Sequence, residues 1–237
     1  MKGLIRTSPA NFFNLKGLNF SDFINKQNQV WDIIINLADY LEKIIIRRQL
    51  SKNIQLHSST AILGNKIRID ADVIISPFSF LDASKGPIWI GKGAKILSGT
   101  RIRGPALIGK NCQVNGEIKN SLILDEAHSD HLSNYVGDSI VGRNCRLGCG
   151  TILSNRRFDR KTIRIKIKKQ NISTGTDRLG AILGDKVKTG CHSLLGPGAL
   201  IGPDSWIGQQ VIVKNEYIEK GRLLVLKQSI RVNKIKL

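Results

Sequence analysis

At 237 residues, with a formal net charge of +19 and only 5% aromatic side chains, the chain has material for one domain or two small ones and must build its core from small branched residues. No apolar run approaches the roughly 18 residues that a membrane-spanning helix needs, and the start "MKGLIRTSPANFF" lacks a signal peptide's apolar stretch. Its four cysteines, Cys112, Cys145, Cys149 and Cys191, form neither a CxxC pair nor a metal-binding set, so the expectation is a cytoplasmic protein with reduced thiols and no metal.

In residues 1–56, "SDFINKQNQVWDIIINLADYLEKIIIRRQL" places apolar side chains at helical spacing. This predicts one long helix, N-capped by Ser21 or Asp22, that closes the end of whatever follows.

From 57 to 214 the period changes to six. Aliphatic residues recur as Leu63, Ile69, Ile75, Leu81; as Ile90, Ile96, Ile102, Ile108, Val114; as Val141, Leu147, Leu153; and, with one threonine, as Leu183, Thr189, Leu195, Ile201, Ile207, Val213. A period of six fits neither a helix nor a hairpin sheet. It fits a chain that turns a corner after each short strand, three strands to a coil, with stacked coils sharing one continuous core. Glycines near the corners supply backbone freedom. Two stretches break the beat, 115–135 and 156–180. In the second, "TIRIKIKK" alternates as a strand with a basic face, inside a loop leaving the prism. Residues 215–237 form a basic tail. The positive charge gathers at 156–169 and 220–237, which reads as solvated basic surface, with a polyanion-binding surface as the alternative. Without a recognisable nucleic-acid module, nucleic acid is not an expected partner.

The four hexad runs resemble the hexapeptide-repeat family, which implies an all-β, left-handed parallel β-helix. The order His131-Leu132, Tyr135-Val136-Gly137-Asp138, Gly148-Cys149-Gly150-Thr151 and Asn155, followed by "NRRFD" and "RLGAILGDKVKTGCHSLLGPG", is similar to the acetyltransferase half of bifunctional N-acetylglucosamine-1-phosphate uridylyltransferases and of archaeal sugar-1-phosphate nucleotidylyltransferases. The resemblance implies acetyl-CoA as donor, an amino-sugar phosphate or nucleotide-linked amino sugar as acceptor, and His131 as general base, a role suited to imidazole. It implies substrate contacts from Tyr135, Asn155, Arg157 and Lys161, and from Arg146, which stands where the family has a sugar-binding asparagine. Cys149 and Gly150 would face the thioester oxygen, with Cys191 and Lys186 also toward the cofactor. His128 is the fallback base, and Asn134 is one residue more than the bacterial motif has between the histidine and tyrosine.

Residues 1–56 contain no glycine-rich nucleotide loop, so no nucleotidyltransferase activity is expected of these residues, and a separate nucleotidyltransferase chain is a candidate partner. The family resemblance also implies a homotrimer with sites between subunits. Against the acyltransferase stands a second reading, a non-catalytic oligomerising or regulatory module of a sugar-1-phosphate nucleotidyltransferase.

Overall fold

The computed structural model describes residues 7–231 and 233. Most of them wind into a three-sided parallel β-helix, with strands of two or three residues on successive faces and in-register hydrogen bonds between coils. On the first face the inward column runs Ile69, Ile90, Ile108, Ile123, Val141, Leu183, Ile201. The second carries Ile75, Ile96, Val114, Ser129, Leu147, Thr189, Ile207, and the third Leu81, Ile102, Ile118, Val136, Leu153, Leu195, Val213. Every one of these side chains is buried. Burial of each aliphatic member contributes about 1.5–3 kcal/mol before conformational entropy is set against it.

Four details differ from the sequence reading. Leu63 is 51% exposed, and Ile62 takes the inward place, paired with Leu81. Residues 115–135 do not leave the prism. Ile118, Ile123, Ser129 and Val136 continue all three columns there, at spacings of four to seven residues rather than six. A corner absorbs the added or missing residues, and the columns are kept because inward, mostly aliphatic side chains fill the core. Many corners are turned by asparagine or aspartate rather than glycine. Asp72, Asn111, Asp138, Asn144 and Asp204 all adopt positive φ, which their short polar side chains tolerate. The ladder also extends beyond 57–214, from the pair Gln49↔Arg68 to the pair Ile207↔Leu224.

The predicted single helix is three short ones, α1 (Ser21–Asn25), α2 (Asp32–Ile35) and α3 (Leu37–Ile44). Phe20, not Ser21 or Asp22, occupies the N-cap position of α1, without a side-chain cap. The break after α1 is held by Gln27 Nε2 donating to Phe23 O at 2.9 Å and by Val30 N donating to Thr7 O at 2.7 Å. This segment does not close the end of the prism. It lies along the first face, where the outward column Trp89, Leu107, Leu122, Ile140, Ile182, Leu200 is apolar and buried beneath Phe12, Phe20, Ile24, Ile33, Leu37 and Leu41. A column with apolar groups on both sides of its strands needs a cover. Phe20 meets Trp89 edge-on at 6.1 Å, and Phe12 meets Tyr217 at 5.9 Å. Asp185 ties the segment down, accepting from Asn14 N at 2.7 Å and from Arg143 N at 2.8 Å.

The insertion at 156–180 contains an antiparallel hairpin, Arg164–Ile167 with Gln170–Ser173. Its alternation is as read: Ile163, Ile165 and Ile167 are buried while Arg164 and Lys166 are exposed. The hairpin packs back on the prism, with Lys166 N donating to Asn215 O at 2.8 Å. No helix among the described residues is long and apolar enough to cross a membrane.

The two-sided burial of the first face yields a stability prediction. Leu122→Ala, fully buried between prism and cover, should lower the unfolding free energy in urea by about 2–5 kcal/mol. Ile212→Ala, 66% exposed on the third face, should change it by less than about 0.5 kcal/mol.

Candidate active site

The corner between the second and third faces carries His131. In most coils this corner is a four-residue turn, but between Ser129 and Tyr135 the chain makes a five-residue loop, Asp130 to Asn134. The extra residue, Asn134, is a buried brace: its Oδ1 accepts from Thr151 N at 3.0 Å and its own N donates to His131 O at 3.0 Å. His131 therefore stands out from the corner, its side chain 47% exposed, with Nε2 3.6 Å from Asp130 Oδ1. The other oxygen of Asp130 lies 3.6 Å from His128 Nδ1. Burial, and after it the Arg146 guanidinium, hold the His128 pKa below the ordinary imidazole value.

The longer loop has a consequence one coil up. At comparable corners the amide of the third turn residue donates to the coil below, as Gly93 does to Ala71 O at 3.0 Å, Gly99 to Pro77 O at 3.1 Å and His192 to Cys149 O at 2.7 Å. The Gly150 amide, which sits above the Asp130–Asn134 loop, donates to no backbone carbonyl of the described residues. Gly150 has φ +71°, and a Cβ there would fall 2.5 Å from His192 Nδ1, so a side chain at this position would have to displace the His192 ring. Cys149 is half-buried beside it, with its Sγ 3.2 Å from Ser133 Oγ, and Cys191 is exposed at the same corner one coil further on.

Tyr135 begins the third face immediately after His131. Its ring lies over Gly137, where a Cβ would be 2.6 Å from the phenol oxygen. The phenol thereby reaches toward the next corner and comes close to Asn155. Burial, with Asp138 and Glu117 nearby, pushes the Tyr135 pKa above that of a free phenol. Asp138 is buried and accepts from Asn120 Nδ2 at 2.6 Å and from Asn155 Nδ2. Beside this cluster opens a cleft of about 510 Å³, bounded by α2 and α3 on one side and the end of the insertion on the other. Lys85, Lys119 and Arg178 line it together with Asn120 and Asp138, and none of the three cations makes an ion pair among the described residues. Arg103, paired with Glu117 next to Tyr135, has a buried Nε with no hydrogen-bond partner.

Not every residue singled out in the sequence joins this arrangement. Arg146 points outward on the second face, where its Nη1 donates to Glu126 O at 2.7 Å and Cys145 O at 3.0 Å. Lys186 lies at the corner between the first and second faces, in a separate cleft of about 470 Å³ with Asn14, Arg143 and Asp185. Arg157 and Lys161 sit on the insertion near Asp159, whose carboxyl is held far below the usual range, first by the Arg157 hydrogen bonds of 2.8 and 2.7 Å. Glu117, Lys119 and Asn120 were missed because 115–135 read as a break, and Arg103 was missed although it stands beside Ile102 in a regular hexad run. The signal was present in the aligned triplets "RIR" and "EIK", which place alternate polar residues outward around Ile102 and Ile118.

The like-charge contact between Arg146 and His128 is testable. Arg146→Ala should raise the His128 titration midpoint, followed by its imidazole proton NMR signals, because a repelling cation is removed. Because the His128 pKa is depressed in the fold, its contribution to stability is present above the unfolded imidazole value of about 6.5 and is lost as pH falls through the folded value. Arg146→Ala should shrink that acid-side loss.

No family model matches the chain. It is 33% identical over 221 residues to the bifunctional protein GlmU of Methanococcus aeolicus, an alignment covering 92% of this chain and 51% of that protein. It is 30% identical over 175 residues to the uncharacterized acetyltransferase YaiX of Escherichia coli, covering 64% of this chain and 76% of that one. Among solved structures, the acetyltransferase domain of PglB from Neisseria gonorrhoeae, in complex with acetyl coenzyme A, aligns with 71% of this chain and 55% of its own at 11% identity and a TM-score of 0.28. The chain spans about half the length of the GlmU relatives it matches. With its columns of hexad aliphatic residues, its His131–Tyr135–Asn155 order and these relatives, the chain belongs to the hexapeptide-repeat acyltransferases of the left-handed β-helix fold.

Proposed function

We propose that the protein is an acetyl-CoA-dependent N-acetyltransferase whose acceptor is the amine of an amino-sugar phosphate. The observation that carries this reading is one continuous path along the third face. His131 stands at one corner, Tyr135 crosses the face, and Asn155 and Asp138 stand at the other corner beside a cleft lined by Lys85, Lys119 and Arg178. Unpaired cations around a cleft suit an anionic group, and charge-assisted hydrogen bonds to phosphate are strong and directional. The buried Asp138 and the amides of Asn120 and Asn155 offer acceptors and donors suited to sugar hydroxyls.

In this reading the acceptor lies along the third face with its phosphate in the cationic cleft and its amine toward His131. His131 takes a proton from the amine as the nitrogen attacks the thioester carbonyl, and the sulfur departs as the CoA thiolate. Negative charge develops on the carbonyl oxygen, and the Gly150 amide, which has no backbone acceptor among the described residues, would serve as its donor. Acetyl-CoA supplies the activated acyl group. The corner Gly148-Cys149-Gly150 has small side chains that leave room for the thioester. Asp130, 3.6 Å from His131, would orient the imidazole and favour its protonated form once the proton has moved. The second and third faces are free of the N-terminal cover, and a homotrimer packed through them would place a neighbour against this edge.

Release of CoA thiol from acetyl-CoA, with glucosamine- and galactosamine-1-phosphates as acceptors, tests the reading. His131→Ala should lower kcat about 10²–10⁴-fold. Lys119→Ala should act mainly on the acceptor KM, raising it about tenfold to a hundredfold, as expected when a charge-assisted contact of about 1.5–3 kcal/mol is lost. Turnover that survives His131→Ala would transfer the base role to His128. Absence of turnover, with no thermal stabilisation by CoA, would favour a non-catalytic module.

A further inference from the structure

We propose that Cys149 and Cys191 form a reversible disulfide between neighbouring coils, made by exchange with a small-molecule disulfide. The two residues occupy the same position in successive turns of one corner. They are bracketed by the register pairs Leu147↔Thr189 and Ile152↔Leu194, with equal numbers of residues between. His192 N donates to Cys149 O at 2.7 Å, which carries the register through the turn itself. Neighbouring parallel strands lie about 4.8 Å apart, within the roughly 4.4–6.8 Å of Cα separation that a disulfide spans. Both thiols are free, Cys191 is exposed and Cys149 half-buried, so a soluble disulfide can reach the first and the second can follow.

The remaining cysteines supply an internal contrast. Cys112 and Cys145 also share a corner, but Ala127 stands in the coil between them, as the pairs Gln113↔His128 and His128↔Arg146 require. Two coil spacings, about 9.6 Å, exceed what a disulfide can bridge. Both are fully buried and hydrogen-bonded to Leu124 O and Gly184 O. Burial pushes the Cys112 thiol up to about 12 and raises Cys145 as well, which leaves little thiolate to react.

The chemistry balances with one small disulfide. The Cys191 thiolate attacks one sulfur of oxidised glutathione, forming a mixed disulfide and expelling one glutathione thiolate, which takes up a proton. The Cys149 thiolate then attacks the Cys191 sulfur, and the second glutathione leaves as its thiol. The protein loses two protons and two electrons, and one glutathione disulfide becomes two thiols. The new bond would tie down the turn that carries Gly150. This inference does not depend on the acyl-transfer reading, because its readout is covalent.

The test treats the full chain with oxidised glutathione and then blocks free thiols with an alkylating agent under denaturing conditions. Two of the four cysteines should escape alkylation, a Cys149–Cys191 linked peptide should appear in the digest, and dithiothreitol should restore all four. Cys149→Ser should instead accumulate one stable glutathionyl group on Cys191. The wild-type map alone decides the matter if that variant does not fold. Four alkylated cysteines, a glutathionyl group persisting on wild-type Cys191, or a covalent dimer on a non-reducing gel would each overturn the proposal.

Discussion

Register between parallel strands is the constraint on which everything else in this protein depends. Most strands are only two or three residues long and have no stability by themselves. Each is held because its inward side chain stacks on the same position of the coil below and its amides reach the same carbonyls. Once Ile90 sits over Ile69 and Ile108 over Ile90, the outward residues are aligned as well. Inner and outer columns therefore come as a pair. The outer column of the first face is apolar and recruits the N-terminal segment. The outer columns of the other two carry the polar and charged groups from which a site can be made.

Chemistry concentrates where the coil departs from its own regularity without losing register. The five-residue loop at Asp130–Asn134 pushes His131 into solvent, and the same loop removes the acceptor that a regular corner would give the Gly150 amide. An unpaired donor in a packed structure is costly unless something uses it. The stack on either side, Val114 below and Thr189 above, holds both groups in place, so a loop irregularity sits on a rigid support.

The large positive charge is not spread evenly over the surface. Part of it lines the cleft by Asp138, through Lys85, Lys119 and Arg178. Part forms an outward column on the second face, where Lys95, Gln113, His128, Arg146 and Lys188 follow one another in register, with Lys188 4.8 Å from the Trp206 ring. Burial depresses the His128 pKa first, and the column adds to it, since Arg146 and Lys95 both disfavour the charged form. The exposed edge of the hairpin, with Arg164 and Lys166, adds a further row. Stacking in register forces like charges together in a way that a globular surface avoids, and it leaves them available to anions.

The hexad beat was legible in the sequence because inward residues are aliphatic in nearly every coil, Ser129 and Thr189 on the second face excepted, whatever the corner does. The basic hairpin was legible for a related reason, since "TIRIKIKK" alternates with the period of its own strand. His131, Tyr135 and Asn155 could be singled out from their order alone. Their relation in space could not, because Asn155 belongs to the neighbouring coil and comes near Tyr135 only once the two strands have paired in register. The coil at 115–135 was hidden by spacings that drift between four and seven residues, and Glu117, Lys119 and Asn120 were hidden with it. The placement of the N-terminal helices was also beyond the sequence. Helical periodicity shows that a segment has an apolar face, but not which surface receives it. That was decided by the outward column from Trp89 to Leu200, which exists as a surface only after residues more than a hundred positions apart have stacked in register.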